Sequence, residues 1–219
     1  MALRFVLFDF DGTLFDTSPG ITRCMRCALR ACGYSVSDSD DLKRFIGPPL
    51  PQAFREFYGA DDAEIERLTN AFRPLYAKEG VLDCVPIEGV EDFLKFVRSI
   101  GCKTAVATSK PQRFAVQILE AFDFMRYFDV VCGVTDDDRI EKAEIVKRAM
   151  HCLSANPQET LMIGDRKFDV FGAKANGISC LGINTGFALS GELENAGACA
   201  VVRSYSEMRS VLFSLHLCR

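Results

Sequence analysis

Residues 3–9 are almost wholly apolar. A short run without polar alternation predicts a strand buried on both faces of a parallel sheet. From about residue 16 the pattern changes. Segments over 21–32, 38–45, 51–57 and 61–78 carry apolar residues at helical spacing, and Gly33, Gly47-Pro48-Pro49 and Gly59 break them. No strand pattern interrupts this block, so it reads as a helical insertion over 16–86. Beyond it, strand patterns over 103–108, 130–134, 160–164, 179–184 and 198–202 alternate with helical ones over 87–98, 111–122, 142–152, 168–176, 192–196 and 205–215. Alternation of this kind implies a parallel sheet wrapped on both faces by right-handed crossovers. The expected class is therefore α/β, with the sheet core formed by 1–15 and 87–219 and the all-helical insertion by 16–86.

In such sheets a ligand sits beyond the carboxyl ends of the strands, and the polar clusters of the chain fall there. The first strand ends on Phe8-Asp9-Phe10-Asp11-Gly12-Thr13-Leu14. Side chains two apart on a strand share a face, so Asp9 and Asp11 are expected to leave the tip on one side. Two negative charges held that close repel unless a divalent cation lies between them or one is protonated. An ionised Asp9 is a nucleophile, and Asp11 can carry a proton to or from a leaving oxygen. Thr108-Ser109-Lys110-Pro111 closes the strand over 103–108. A hydroxyl and backbone N–H groups just ahead of a helix either bind phosphate or cap the helix through Ser109. The segment 138–144, which includes Asp138 and Arg139, opens a helix with mixed charge and reads mostly as a solvated face. Within it Lys142 lies near a helix N-terminus, where the dipole disfavours a cation and a bound anion would remove that penalty; Lys110 and Lys147 are its competitors. Gly164-Asp165-Arg166-Lys167-Phe168-Asp169 places two further carboxylates at a strand end and one helical turn on. They serve either as ligands or as helix caps.

Asp-x-Asp-Gly-Thr after a hydrophobic strand resembles the first motif of the haloacid dehalogenase superfamily. Thr108, Lys142 and the Gly-Asp-x-x-x-Asp run at 164–169 are similar, in order, to its other three. The resemblance covers essentially the whole chain. It implies a Rossmann-like core with a helical cap between the first two motifs, as in the phosphoglycolate phosphatase and phosphomutase branch, and the wording of the second and fourth motifs is similar to proteins labelled phosphoglycolate phosphatase or 5′-nucleotidase. It implies Mg2+-dependent hydrolysis of a small phosphorylated metabolite through an aspartyl-phosphate, with Asp9 as nucleophile and Asp11 as acid and base. It also implies catalytic roles for Thr108 and Lys142, and a phosphate held by Gly12, Thr108, Ser109, Lys110 and Lys142. The implied Mg2+ site takes Asp9, Asp165 and Asp169, with Asp11 contributing its backbone carbonyl. The helical block would act as a lid, in which Arg23, Arg44 and Arg73 are either surface residues or cations for a second anionic group.

Composition narrows the alternatives. A net charge of -4 over 219 residues argues against a nucleic-acid partner. No apolar run approaches the roughly 20 residues of a membrane span, and the N-terminus shows no signal-peptide pattern. A cytoplasmic monomer or homodimer acting on a small phosphorylated substrate is expected. Of the ten cysteines, most, such as Cys102, Cys132 and Cys180, sit inside apolar runs, which suits buried thiols in a reducing compartment. Cys24 and Cys27 have zinc-like spacing without a second ligand pair. Cys24 to Arg30 fits Cys-x5-Arg, yet a tyrosine phosphatase needs that thiolate in an anion-binding loop, whereas this segment reads as mid-helix. The presence of Asp11 counts against a dehalogenase. A phosphonate hydrolase would need a lid lysine, for which Lys43 is the candidate. A non-catalytic domain that binds Mg2+ or phosphorylated ligands is the alternative outside enzymes.

Overall fold

The computed structural model describes residues 3–135 and 140–214. In chain order, β1 (Phe5–Phe8) is followed by a two-residue strand β2 (Phe15–Asp16) and the helices α1 (Ser18–Ala31), α2 (Leu50–Tyr58) and α3 (Asp62–Leu75). The chain returns through β3 (Val85–Pro86), which pairs antiparallel with β2. Then come α4 (Val90–Ser99), β4 (Lys103–Pro111), α5 (Gln112–Ala121), β5 (Val130–Val134), α6 (Lys142–Leu153), β6 (Thr160–Gly164), α7 (Lys167–Ala175), β7 (Ser179–Ile183), α8 (Glu192–Ala196), β8 (Ala200–Val202) and α9 (Tyr205–Ser214).

The six-stranded sheet has the order β5-β4-β1-β6-β7-β8, and every pairing in it is parallel. β1 is central and buried on both faces, which explains its unbroken apolar run. Val6 and Phe8 pack with Phe93 and Leu94 of α4, Ile118 of α5 and Met208 of α9. Phe5 and Leu7 belong to the opposite layer, with Ile145 and Val146 of α6, Val170 of α7 and Leu193 of α8. The strands run outward from β1 through β4 to β5 and then return to β6 on its other side. The order thus reverses at β1, where a crevice opens beyond the strand ends.

Several local expectations are corrected. The insertion does contain strands, because β2 and β3 form a short ribbon, Phe15 facing Pro86 and Asp16 facing Val85, where the chain leaves and rejoins the core. The helix expected over 38–45 is only a 3-10 turn at Lys43–Phe45. Asp40 accepts the N–H of Ser37 and Asp41 that of Lys43, each at 2.9 Å, and these side-chain bonds displace the helical ones. The helix expected over 61–78 ends at Leu75, just past Pro74, and continues as a π-helical turn, Tyr76–Gly80. Asp138, Arg139 and Leu215, expected at helix ends, lie outside the described residues. No helix among the described residues is long and apolar enough to cross a membrane.

The nine described cysteines form no disulfide with one another. Cys24 is buried and Cys27 exposed on the same helix, so the two do not converge on a metal. Cys24 and Arg30 lie within α1, which removes the phosphatase-loop reading.

Candidate active site

Asp9 follows β1 directly, and its N–H donates to the carbonyl of Ile163 in β6 at 2.9 Å. Asp165 follows β6, Asp169 lies in the first turn of α7, and Lys142 is the first residue of α6. The sheet therefore brings four charged side chains from distant positions to one buried point. Carboxylate oxygens of Asp9, Asp165 and Asp169 lie within 4.8 Å of one another. Lys142 donates to Asp9 and, at 2.7 Å, to Asp169. Thr13 donates to Asp165 Oδ1 at 3.1 Å, whereas the buried Asp165 Oδ2 has no hydrogen-bond partner.

Lys142 faces Asp9 and Asp169, whereas Asp165 feels the Arg166 charge, and the protonation equilibria follow. Burial pushes Asp9 up to about 7 against the pull of Lys142, with the Asp169 charge adding to the rise. Burial also raises Asp165 well above the usual carboxylate range, helped by Asp9 and Asp169. Burial disfavours the Lys142 cation, yet Asp169 and Asp9 outweigh it and hold the ammonium above its ordinary value.

Asp11 does not join this cluster through its side chain. Its Oδ1 accepts from Thr17 at 2.7 Å and from Lys110 at 2.9 Å. The same-face rule holds only within a strand, and β1 stops at Phe8. The chain then turns on Gly12, whose φ is +83°, with the Gly12 N–H donating to the Phe15 carbonyl at 2.8 Å. Lys110 is thus the partner of Asp11 and no substitute for Lys142. Its ammonium also donates to the Tyr76 hydroxyl at 2.7 Å, and these two oxygens overcome the cost of burial to raise its pKa. Lys147 is exposed, 3.8 Å from Glu144, and takes no part.

The second cluster settles against capping. Pro111, rather than Ser109, is the N-cap residue of α5 and makes no side-chain bond. Thr108 is buried, and its oxygen accepts the Lys110 N–H at 3.1 Å, which leaves its own proton to be donated elsewhere. Ser109 is half-buried beside it. In the fourth cluster Asp169 performs the capping, accepting the Arg166 N–H at 3.0 Å through Oδ2. Asp165 is left to face the cluster.

Thr13, Thr17, Tyr76 and Arg166 were not singled out from the sequence. Thr13 and Arg166 sit inside the two recognisable runs, while nothing local marks Thr17 or Tyr76. Arg23 pairs with Asp83 at 3.1 Å, and Arg44 lies exposed over the Phe57 ring at 4.8 Å. Arg73 is half-buried on α3, and Lys43 is exposed on the 3-10 turn.

The acidic group fits a divalent cation. All its donors are hard oxygens, as Mg2+ requires, and the unpartnered Asp165 Oδ2 is otherwise costly to bury. Gly12 keeps the space open: a Cβ there would lie 2.8 Å from both Asp165 Cγ and the Phe187 ring.

Residues 6–183 match the model of the haloacid dehalogenase-like hydrolases. The chain is 36% identical over 216 residues to a 5′-nucleotidase of Pseudomonas aeruginosa, covering 97% of this chain and 98% of the relative. It is 32% identical over 212 residues to the tyrosine-protein kinase PtkA of Mycobacterium tuberculosis, covering 95% and 72%. A phosphoglycolate phosphatase of Pseudomonas fluorescens is 28% identical over 192 residues, covering 84% and 70%. A crystal structure of a predicted phosphatase from Clostridium acetobutylicum superposes with a TM-score of 0.93 at 34% identity, over 98% of this chain and 100% of that one. Because the family match runs from β1 to the end of β7, and one relative is similar nearly end to end, the chain is an enzyme of the haloacid dehalogenase-like hydrolase family.

Proposed function

We propose that the protein is a Mg2+-dependent phosphomonoester hydrolase in which Asp9 is the nucleophile and Asp11 the acid and base. The observation that carries this reading is the division of labour between the two aspartates. Asp9 lies in the Asp165–Asp169–Lys142 cluster, and Asp11 is held apart from it by Lys110 and Thr17.

Asp9, Asp165 and Asp169 would hold the cation, with the Asp11 carbonyl as the expected further ligand. When bound, Mg2+ neutralises charge on the phosphoryl group. An Asp9 oxygen attacks phosphorus as the ester P–O bond breaks, and Asp11 gives its proton to the leaving oxygen. Asp11 then takes a proton from water, which attacks the aspartyl-phosphate and releases phosphate and the Asp9 carboxylate. Lys142 and the Thr108 hydroxyl stabilise charge on the equatorial oxygens, with Ser109 and the Gly12 turn completing the phosphate site. The block 16–86 acts as a cap that excludes water during these steps.

The substrate is a small phosphorylated metabolite. A phosphoglycolate-like ester is the first reading, supported by the similarity of the cap position and motifs to phosphoglycolate phosphatases. A nucleoside 5′-monophosphate is the second reading, favoured by the similarity to the 5′-nucleotidase over nearly the full length of both chains. Purified protein is expected to hydrolyse p-nitrophenyl phosphate with Mg2+ and to stop on addition of EDTA. A panel of phosphoglycolate, nucleoside monophosphates, sugar phosphates and pyrophosphate then ranks substrates by kcat/KM. Absence of Mg2+-dependent phosphate release from every compound would leave a binding role instead.

Thermal melting gives a second check on the cation. Protein stripped with EDTA is expected to gain about 2.7 kcal/mol at a Mg2+ concentration of 100 Kd, or about 5–10 °C in Tm for a chain of this size. At one fixed Mg2+ concentration the gain should be larger at pH 8 than at pH 5.5. In the cation-free fold Asp9 titrates at about 7, above its value of about 3.9 in the unfolded chain. The fold therefore binds that proton more tightly than the unfolded chain does, and loses stability as pH rises through this window. Mg2+ must displace the proton below pH 7 and need not above it. Equal gains at the two pH values would contradict this account.

A further inference from the structure

The helical insertion touches the core through a contact that the proposed chemistry does not use. Arg166, between the two carboxylates Asp165 and Asp169, is buried to 8% exposure. Its Nε donates to Glu192 Oε1 at 2.9 Å. The same carboxylate accepts the N–H of Lys167 at 2.9 Å and that of Leu189 at 3.2 Å, so Glu192 is fixed to the core and anchors the guanidinium. Nη1 of Arg166 points the other way and donates to the carbonyl of Ile46 in the insertion at 2.5 Å. The planar fork of arginine directs its donors to acceptors on two sides at once, a fixed geometry that the compact ammonium of a lysine does not reproduce. The next residue, Gly47, has φ +94°, and a Cβ on it would lie 2.8 Å from Arg166 Cγ. A bare backbone is needed for the loop to seat on this side chain.

We propose that Arg166 is a positioning residue that holds the insertion shut over the acidic cluster, with the Ile46 carbonyl as its catch and Gly47 as the clearance. The inference rests on the reading that block 16–86 opens and closes. When the insertion is docked, the Nη1–H is dry and bonded to Ile46; when it lifts, that proton must find water. A charge-assisted bond therefore exists in the closed state alone. Glu192 keeps the guanidinium in place through the cycle, so the core offers a preformed donor rather than a side chain that must be ordered again at each closure.

Hydrogen exchange on the full chain tests this without reference to activity. In Arg166→Gln and in Gly47→Ala, amide exchange should rise about tenfold, the equivalent of losing one hydrogen bond to a charged group. The rise should cover 44–50 and also 76–86, at the hinge end of the insertion, while peptides from β1 and β6 stay at wild-type rates. Faster exchange confined to 44–50, or none, would overturn the proposal, because loosening one loop is not opening the insertion. Should Arg166→Gln fail to fold, Gly47→Ala decides alone, since it retains both the Arg166 and the Glu192 side chains. Failure of the wild-type protein to hydrolyse any phosphomonoester would remove the hydrolase reading and leave the exchange result standing.

Discussion

Asp9→Asn is expected to lower kcat by at least about a thousandfold, the scale of losing a covalent nucleophile, while the protein stays folded. The amide nearly matches the carboxylate in shape, so β1 and its pairing with β6 are undisturbed. Its oxygen can still accept from Lys142, which keeps Asp169 as its second partner. Removing one of three buried carboxylates also relieves the repulsion that raises Asp9 and Asp165. Cation-free Asp9→Asn should therefore melt no lower than cation-free wild type at pH 8, where that repulsion is greatest. Steady-state hydrolysis of p-nitrophenyl phosphate and a melting curve measure the two halves separately. Activity within tenfold of wild type would exclude the covalent step. Lost activity with a collapsed melting curve would make Asp9 a structural residue.

The parts of the fold that were legible in the sequence are those whose pattern is local. β1 is surrounded on both faces, so its burial is written in four successive apolar residues. The glycines and prolines bounding the helices of the insertion act through their own dihedrals and need no context. The turn region 37–42 misled because its aspartates bond nearby N–H groups, which a periodicity count cannot see. The ribbon between β2 and β3 is two residues per strand, too short to carry a period. At the site, Asp9 and Asp165 are legible because each follows a strand end, Asp169 because it lies one helical turn on, and Lys142 because it opens a helix. What was missed depends on where β1 stops. A strand one turn longer would have kept Asp11 on the Asp9 side, whereas the early turn at Gly12 sends it to Lys110 and Tyr76. Tyr76 is 34 residues from Lys110 in sequence, and only the docking of the insertion brings them together.

Lys142→Met should be the most destabilising single change in the site. The substitution keeps length and apolar stem but leaves Asp9 and Asp169 buried beside Asp165 without the cation they share. Breaking a buried pair in this way costs about 3–5 kcal/mol, and here each carboxylate also feels the other two. For a chain of this size the melting temperature should fall by about 6–20 °C at pH 8 in EDTA. At pH 5.5 the loss should be smaller. Asp9 already titrates at about 7 with Lys142 in place, and without that lysine its pKa rises further, so the proton stands in for the missing charge. Mg2+ should restore part of the stability at pH 8 for the same reason, yet not the activity, because the lysine that stabilises the phosphoryl oxygens is still absent. The double variant Asp9→Asn with Lys142→Met separates the causes. If the ion pair accounts for the loss, Asp9→Asn will raise the stability of Lys142→Met by more than it raises that of wild type, a favourable coupling between sites in contact. If instead the two effects simply add, Lys142 contributes through its packed stem, and the acidic cluster tolerates its own charge without help from α6.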